Sequence, residues 1–163
     1  MTAEDQALLR QALDLAARGK GLASPNPIVG AVVLDSTGVK SGTGFYTWEA
    51  AKHAEVIALE QAGESARGGT LYVSLEPCCF EGRTPPCTEA ILKAGVRRVV
   101  AATKDPHPKV QGGGFGLLEQ AGVEVVCAAD FSPGLEVEAR RQNEAAFNFS
   151  LTGKPLVTLK SAV

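Results

Sequence analysis

The sequence has no excess of charge of either sign and no long apolar run. It contains 16 Lys plus Arg and 18 Asp plus Glu, a net charge of −2, and such balance does not favour a broad nucleic-acid surface, although a local basic cluster is compatible with it. No apolar run approaches the roughly 20 residues of a membrane span. The acidic start Met1-Thr-Ala-Glu-Asp-Gln6 lacks the basic residues and apolar core of a signal peptide. We therefore expect a cytoplasmic protein with neither nucleic acid nor membrane as a partner.

The composition suits one folded domain. A chain of 163 residues can bury a hydrophobic core without disulfides, and its content of 45% apolar and 21% charged residues is ordinary for a globular protein. The four cysteines, Cys78, Cys79, Cys87 and Cys127, could in principle form two disulfides. In a reducing compartment, three cysteines that flank a turn-rich loop are more typical of metal-binding or catalytic thiols. Cys127 lies in an apolar strand pattern and is interpreted as a small core residue.

Strand and helix patterns alternate along the chain. Strand patterns cover residues 28–34, 39–44, 69–75, 96–102 and 123–128, and helical patterns begin near Thr2, His53, Thr84, Phe115 and Pro133, the last running to Phe149. Alternation with short connections predicts an α/β fold, a three-layer α/β/α sandwich around a mixed sheet of about five strands. The candidate site residues fall where strands end and loops begin, as is usual for such sheets.

Residues 53–87 carry the groups with chemistry. His53 and Glu55 open an apolar helical pattern, Cys78 follows a predicted strand, and Cys87 precedes the next helix. One imidazole, two thiolates and a nearby carboxylate are what a catalytic zinc requires: three ligands, a fourth position for water, and an acid/base. His53 and Glu55 would lie about 200° apart around a regular helix, so they can converge only at its first turn. The N-terminus of a helix would lower the pKa of the Cys87 thiol and prepare it for metal.

Each of these residues has a plainer interpretation when taken alone. His53 could be an ordinary core or surface histidine, and Glu55 a solvated helix charge. Cys79 adjoins Cys78, but adjacent side chains rarely reach one metal, and we assign Cys78 because it follows the proline. If Cys79 also bound, the tetrahedron would be closed and the zinc would be structural. His-x-Glu together with two spaced cysteines favours the catalytic interpretation.

The motifs resemble those of zinc-dependent nucleobase deaminases, whose signature is His-x-Glu followed by Pro-Cys. Cys78 and Cys87 are separated by a long loop ending in Gly82-Arg-Thr-Pro-Pro-Cys87. This loop is similar to that of the deaminase domain of bifunctional riboflavin-biosynthesis pyrimidine deaminase/reductases, and the resemblance extends over about residues 3–160. It implies a cytidine-deaminase-like fold, Zn²⁺ held by His53, Cys78 and Cys87, and hydrolytic deamination of 2,5-diamino-6-(5-phosphoribosylamino)pyrimidin-4(3H)-one with release of ammonia. Glu55 would carry the proton from the attacking water to the departing amine.

Four further residues are candidates for contacts with this phosphorylated substrate. The segment Ser24-Pro-Asn-Pro27 cannot be helical, and it could hold the Asn26 amide against a pyrimidine edge or be a simple turn. Arg83 and Thr84 are the preferred phosphate contacts because they are tethered between the cysteines. Lys52, Lys104 and Lys109 are other candidates. Asp105 would accept from a ribosyl hydroxyl, or serve only the turn before Pro106.

The sequence departs from the family pattern at three positions. Phe80 and Tyr46 stand where family members usually have histidine, and His107 stands where asparagine is common. All three lie near the expected pocket, so the first alternative is a related deaminase acting on another base, of the cytosine or guanine type. A tRNA adenosine deaminase would have a basic face and two residues between its cysteines. The alternative from another class is a structural-zinc binding module.

The end of the sequence does not continue the alternating pattern. We expect residues 1–150 to form the deaminase domain. The segment Thr152-Gly-Lys-Pro-Leu-Val-Thr-Leu-Lys160 resembles the first strand of the reductase domain in bifunctional relatives, so residues 151–163 would be a linker and first strand of a reductase domain expected in the full-length protein. A complete protein with a docked C-terminal strand is the alternative. The resemblance also predicts a homo-oligomer.

Overall fold

The computed structural model describes residues 1–159, which contain five strands and six α-helices. The strands are β1 (Gly30–Leu34), β2 (Lys40–Phe45), β3 (Thr70–Val73), β4 (Arg98–Ala101) and β5 (Glu124–Cys127). The helices are α1 (Ala3–Ala17), α2 (Ala54–Ala62), α3 (Cys87–Ala94), α4 (Gly113–Gln120), α5 (Pro133–Gln142) and α6 (Glu144–Thr152), with short 3-10 turns at Gly63–Ala66 and Ala128–Asp130. All five predicted strands are confirmed. In the described residues no helix is long and apolar enough to cross a membrane.

The strands form one mixed sheet in the order β2-β1-β3-β4-β5. β1 pairs antiparallel with β2 and β3, whereas β3, β4 and β5 are parallel. One hydrophobic cluster joins the sheet to α1 and α5, and a second joins its other face to α2, α3 and α4. The predicted three-layer α/β/α sandwich is therefore confirmed. The carboxyl ends of β3 and β4 lie at the same edge, where the loops after them meet the start of α2.

Two glycines on β2 set how closely α2 approaches the sheet. A Cβ atom at Gly44 would overlap the carbonyl oxygen of Ala54, and one at Gly42 would overlap that of Ala58. Because alternate residues of a strand face the same side, both glycines lie directly beneath α2. This contact fixes the first turn of α2 against the edge strand, and His53 is the residue that immediately precedes this turn.

The predicted single helix over residues 133–149 is wrong, because the chain forms two helices that meet at Asn143. The Asn143 side chain is 3% exposed and makes two hydrogen bonds with the backbone of Ile28. Its Oδ1 accepts from the Ile28 N–H at 2.8 Å, and its Nδ2 donates to the Ile28 carbonyl at 3.0 Å. A contact with a residue 115 positions away cannot be read from helical periodicity, which is why the pattern gave one helix.

The segment after α6 is exposed. Gly153 ends the helix in a left-handed conformation, φ 68°, and residues 155–159 have no regular secondary structure. The segment 152–160 resembles a first reductase strand in sequence, but its described residues form no strand. Its last residue, Lys160, lies outside the described residues. The assignment of residues 151–163 to a linker and first reductase strand stays a prediction.

A buried ionic network lies on the face of the sheet that packs against α1. Asp5 caps α1 reciprocally with Thr2 and accepts hydrogen bonds from Arg98 Nη1 and from the Tyr72 hydroxyl. Burial opposes ionisation of Asp5, but the hydrogen bonds from Arg98, Thr2 and Tyr72 outweigh it and hold its pKa well below the usual range. Because Tyr72 is on β3 and Arg98 begins β4, this carboxylate joins α1 to the centre of the sheet.

We expect Asp5→Asn to lower the free energy of unfolding at pH 7 by about 2–3 kcal/mol, because a buried guanidinium loses its carboxylate partner. A depressed pKa stabilises the fold above the unfolded value, near pH 4, and this contribution is lost as the pH falls toward the folded value. Urea unfolding from pH 7 to pH 2.5 should therefore show a shallower acid loss in the variant. Glu124→Gln is the control, because its exposed carboxylate pairs with the same Arg98 and should contribute less than about 1 kcal/mol. Equal acid sensitivity of wild type and Asp5→Asn would contradict this account.

Candidate active site

Three elements bring His53, Cys78 and Cys87 together. His53 is the extended residue that precedes α2, with φ −72° and ψ 157°. Cys78 follows β3, and Cys87 is the first residue of α3. The prediction that His53 and Glu55 converge at the first turn of a helix agrees with this geometry, since Glu55 lies in that turn.

The donor atoms of these three residues all lie within 4.8 Å of one another. His53 Nδ1 is 3.0 Å from Cys87 Sγ and 3.5 Å from Cys78 Sγ. A tetrahedral zinc with ordinary Zn–N and Zn–S bonds separates its ligand atoms by roughly 3.5 Å. One imidazole nitrogen and two sulfurs at this spacing fit a zinc ion, with one coordination position left for another ligand.

The two sulfurs differ in proton affinity. The hydrogen bond from the Cys87 thiol, opposed by burial and helped by His53, lowers the pKa of Cys78 to about 4. The Cys87 backbone N–H also donates to Cys78 Sγ at 3.3 Å, as expected for a thiolate at the start of a helix. The same shared proton, together with burial, raises the pKa of Cys87. This direction is opposite to the lowering predicted from its place at the start of a helix. A metal ion bound between these sulfurs would stabilise both as thiolates.

The His53 ring is held from two further sides. Thr84 Oγ1 lies 3.4 Å from His53 Nε2, and the Tyr46 ring meets the imidazole edge-on with centroids 5.5 Å apart. A hydrogen-bond partner at Nε2 leaves Nδ1 free to bind metal, the usual role of a residue that supports a ligand. Thr84, predicted to contact phosphate, thus also contacts the predicted zinc ligand.

Cys79 points away from this cluster. Its Sγ lies 3.6 Å from the carbonyl oxygen of Lys109, in the loop on the far side of the strand exit. In the described chain, the group of metal-binding side chains at this edge contains Cys78 and not Cys79. The geometry supports the assignment of Cys78 made from sequence and gives three protein ligands instead of four.

Glu55 lies beside the cluster and opens onto a cavity. Its side chain is 3% exposed, and burial raises its pKa, partly offset by the charge of His53. The cavity has a volume of about 550 Å³, within the usual range for small-molecule sites. His53, Glu55 and Cys78 line one part of its wall. A buried carboxyl group with a raised pKa beside a cavity is the usual arrangement of a general acid/base.

All four predicted substrate contacts line the same cavity. Asn26 Nδ2 donates to the Tyr46 hydroxyl at 2.8 Å. The Arg83 guanidinium stacks on the Trp48 ring at 4.5 Å and donates to the Trp48 carbonyl at 3.2 Å. Asp105 accepts from the His107 N–H at 2.8 Å, and burial raises the pKa of its carboxyl group. Their roles toward a substrate stay predictions.

The three departures from the family pattern line the cavity as well. Phe80 and His107 stack with ring centroids 5.7 Å apart and an interplanar angle of 18°, and the Lys109 ammonium lies 5.6 Å from the Phe80 ring centroid. Tyr46 is buried between Asn26 and His53. These residues therefore shape the pocket wall instead of lying outside it.

Sequence reasoning gave no role to Glu76, although it belongs to the cysteine motif. Its carboxylate is 3% exposed and accepts four backbone N–H groups. These are the N–H groups of Asp105 and Gly112 at Oε2, and of Gly114 and Phe115 at Oε1, over 3.0–3.3 Å. Glu76 thereby ties the loop that carries Asp105 and the start of α4 to the strand exit that carries Cys78. The sequence feature that could have indicated this role is an acidic residue directly before Pro77-Cys78, together with the glycine run at residues 112–114.

Two residues of α6 also line the cavity without having been predicted. They are Phe149 and Ser150, which reach the cavity because the bonds between Asn143 and Ile28 turn the last helix toward it. Nothing in the local pattern of residues 133–149 indicates this, since the direction of α6 depends on a contact with the other end of the chain.

Residues 2–103 match the family described as cytidine and deoxycytidylate deaminase zinc-binding region. The chain belongs to this family. Zinc is its cofactor, and the matched region contains all three members of the His53, Cys78 and Cys87 cluster.

Relatives named RibD are longer than this chain. The riboflavin biosynthesis protein RibD of Aquifex aeolicus is 48% identical over 161 residues, 97% of this chain and 43% of that protein. RibD of Escherichia coli is 44% identical over 96% of this chain and 41% of its own length. The structure of Acinetobacter baumannii RibD superposes with a TM-score of 0.84 at 44% identity, over 93% of this chain and 41% of that one. This chain thus spans less than half the length of these relatives.

A further structural relative comes from Thermotoga maritima, a protein named diaminohydroxyphosphoribosylaminopyrimidine deaminase/5-amino-6-(5-phosphoribosylamino)uracil reductase. It has a TM-score of 0.80 and 35% identity, over 93% of this chain and 42% of that one. The likeness confirms the predicted cytidine-deaminase-like fold.

We expect Glu76→Gln to lower the free energy of unfolding by about 2–4 kcal/mol, because the amide –NH₂ would face two N–H donors and leave them without an acceptor. Urea unfolding measures this, and hydrogen exchange should accelerate at Gly112 and Gly114. Glu119→Gln is the matched control, since Glu119 is exposed on α4. A loss equal to that of the control would show that the four hydrogen bonds do not hold the loop.

Proposed function

We propose that the chain catalyses zinc-dependent hydrolytic deamination of 2,5-diamino-6-(5-phosphoribosylamino)pyrimidin-4(3H)-one in riboflavin biosynthesis. The observation that carries this is a three-ligand cluster with a buried carboxyl group beside it, open to a cavity of substrate size. Membership of the deaminase family and identities of 44–48% with proteins named RibD support this choice of substrate.

His53 Nδ1, Cys78 Sγ and Cys87 Sγ would hold the zinc ion, and Thr84 would keep the imidazole in the tautomer that leaves Nδ1 free. When bound, zinc supplies the Lewis acidity that generates hydroxide from water near neutral pH. The buried position of Cys87 and the hydrogen bonds to Cys78 support both sulfurs as ligands. Three ligands and an adjoining cavity favour a catalytic site over the structural-zinc module, which would require a fourth protein ligand.

Glu55 would move the proton. A carboxylate oxygen of Glu55 accepts a proton from the attacking water, a C–O bond forms at the amino-bearing ring carbon, and the proton passes to the departing nitrogen. The C–N bond then breaks and ammonia leaves. Burial favours the protonated form of Glu55, which suits a group that must hold the proton between its two transfers.

The remaining roles follow from the walls of the cavity. Asn26 would face the pyrimidine, Arg83 and Thr84 the phosphate, and Asp105 a ribosyl hydroxyl. The guanidinium of Arg83 is pre-positioned by stacking on Trp48, so little of its side-chain freedom would be lost on binding an anion.

The full-length protein would include a reductase domain, of which residues 151–163 would be the linker and first strand, and the greater length of the relatives supports this. A homo-oligomer and a cytoplasmic location remain parts of this proposal. The free cysteines support the location, because a thiol cluster needs a reducing compartment.

The second candidate is a deaminase for another base. The observation in its favour is that Phe80, Tyr46 and His107, the three departures from the family pattern, all line the cavity. Cytosine and guanine are the bases to test, because both carry an exocyclic amine on a ring amidine.

We expect zinc-loaded protein to release ammonia from the diaminopyrimidine ribosylamino phosphate. Glu55→Gln should reduce kcat by about 10²–10⁴-fold, because the proton has no carrier, while the zinc content is unchanged. Coupled ammonia detection measures the rate. Zinc-loaded protein without release would reject the substrate, and cytosine and guanine would then be assayed.

We expect Cys78→Ser to lower bound zinc from about one per chain to a small fraction, because a hydroxyl is a poor ligand for this ion. Cys79→Ser is the matched control one residue away and should keep the full zinc content. Metal analysis after dialysis decides between them. Retention by Cys78→Ser with loss by Cys79→Ser would reverse the assignment of the ligand.

A further inference from the structure

Tyr46 joins the predicted base-binding loop to the predicted zinc ligand. Its side chain is 4% exposed, its hydroxyl accepts a hydrogen bond from Asn26 Nδ2 at 2.8 Å, and its ring packs edge-on against His53. The phenol is therefore held from both sides, and in this arrangement it accepts from the amide nitrogen of Asn26. With Nδ2 directed to the phenol oxygen, the amide has its Oδ1 available as an acceptor.

The pair has hydrogen-bonding capacity left over. A phenol oxygen that accepts one hydrogen bond still has its own proton to donate. Within residues 1–159, none of the hydrogen bonds takes the Tyr46 hydroxyl proton, and none engages Asn26 Oδ1. Both residues line the cavity. The pair thus offers one donor and one acceptor side by side, next to the ligand His53.

We propose that Tyr46 and Asn26 together recognise the ring edge beside the carbon that loses its amine. On this edge the adjacent ring atom is an N–H group, and the ring atom after it is a C=O group. Asn26 Oδ1 would accept from the N–H, and the Tyr46 hydroxyl would donate to the C=O. The diaminopyrimidinone has this edge, N3–H and C4=O, beside its amino-bearing C2, and guanine has the same arrangement. This inference rests on the proposed function for its substrate.

The same pair disfavours cytosine. Beside its amino-bearing C4, cytosine presents an unprotonated N3 and then the C2 carbonyl, which are two acceptors. The acceptor Asn26 Oδ1 would then face an acceptor. If the amide turned, the Tyr46 hydroxyl would have to donate to Oδ1 and could no longer donate to the cytosine carbonyl, so one of the two contacts is lost in either orientation. A mismatched polar pair in a desolvated site is strongly discriminating. Tyr46 is thus a specificity-determining residue that favours 2-amino-lactam rings over 4-amino-pyrimidines.

The test is Tyr46→Phe, which removes one oxygen atom, with Tyr72→Phe as the matched control. The chain has two tyrosines. The hydroxyl of Tyr72 donates a hydrogen bond to Asp5 on the face of the sheet that packs against α1. We expect Tyr46→Phe to raise KM for the diaminopyrimidine phosphate about tenfold, with kcat within about threefold and zinc content unchanged. Tyr72→Phe should lower the midpoint of urea unfolding and leave KM unchanged.

Calorimetric binding gives a second readout that is independent of turnover. The zinc-loaded wild type should bind the uracil product, which keeps the N3–H and C4=O edge, more tightly than cytidine 5′-phosphate, and Tyr46→Phe should lose about tenfold of this preference. Turnover by the wild type with no effect of Tyr46→Phe on KM or on preference would overturn the inference and leave the function standing.

If the wild type does not deaminate the diaminopyrimidine phosphate, the proposed function fails, and binding of guanine and cytosine then decides the inference alone. Preference for guanine that is lost in Tyr46→Phe supports it. Equal binding of the two bases by the wild type, or a preference that Tyr46→Phe retains, overturns it.

Discussion

The site depends on how closely α2 lies against the edge strand β2. The carbonyl groups of Ala54 and Ala58 occupy the space that side chains at Gly44 and Gly42 would need. This contact fixes the first turn of the helix, where His53 and Glu55 are held toward the strand exit of Cys78. Because metal geometry tolerates errors of only a few tenths of an ångström, a helix displaced by one methyl group would separate the imidazole from the sulfurs.

Three carboxylates are buried within residues 1–159, and they are stabilised in different ways. Asp5 is held by a guanidinium and a phenol, and Glu76 by four backbone N–H groups. Glu55 instead faces the ligand cluster and the cavity. The first two are structural because their oxygens are fully engaged by the protein. Glu55 is the one whose environment favours a change of protonation, and this difference, more than the sequence motif, separates it from the others.

Much of the site could be predicted from sequence because its residues lie within short, locally recognisable segments. His53 immediately precedes α2, Cys87 begins α3, and Cys78 lies in the loop between β3 and α3. Such boundaries follow from periodicity, prolines and glycines. The features that escaped prediction all depend on distant contacts. The break at Asn143, the anchoring of a loop by Glu76 and the approach of Phe149 and Ser150 each join residues that are tens of positions apart.

The bonds between Asn143 and Ile28 have a consequence for the order in which the molecule can assemble. The zinc cluster draws its donors from a stretch of 35 residues, 53 to 87, whereas the pocket wall is completed by a helix held across 115 positions. Closing the longer loop costs more entropy and raises contact order. We therefore expect the zinc ligands to come together before the pocket wall is complete during folding, so that metal binding becomes possible before substrate binding.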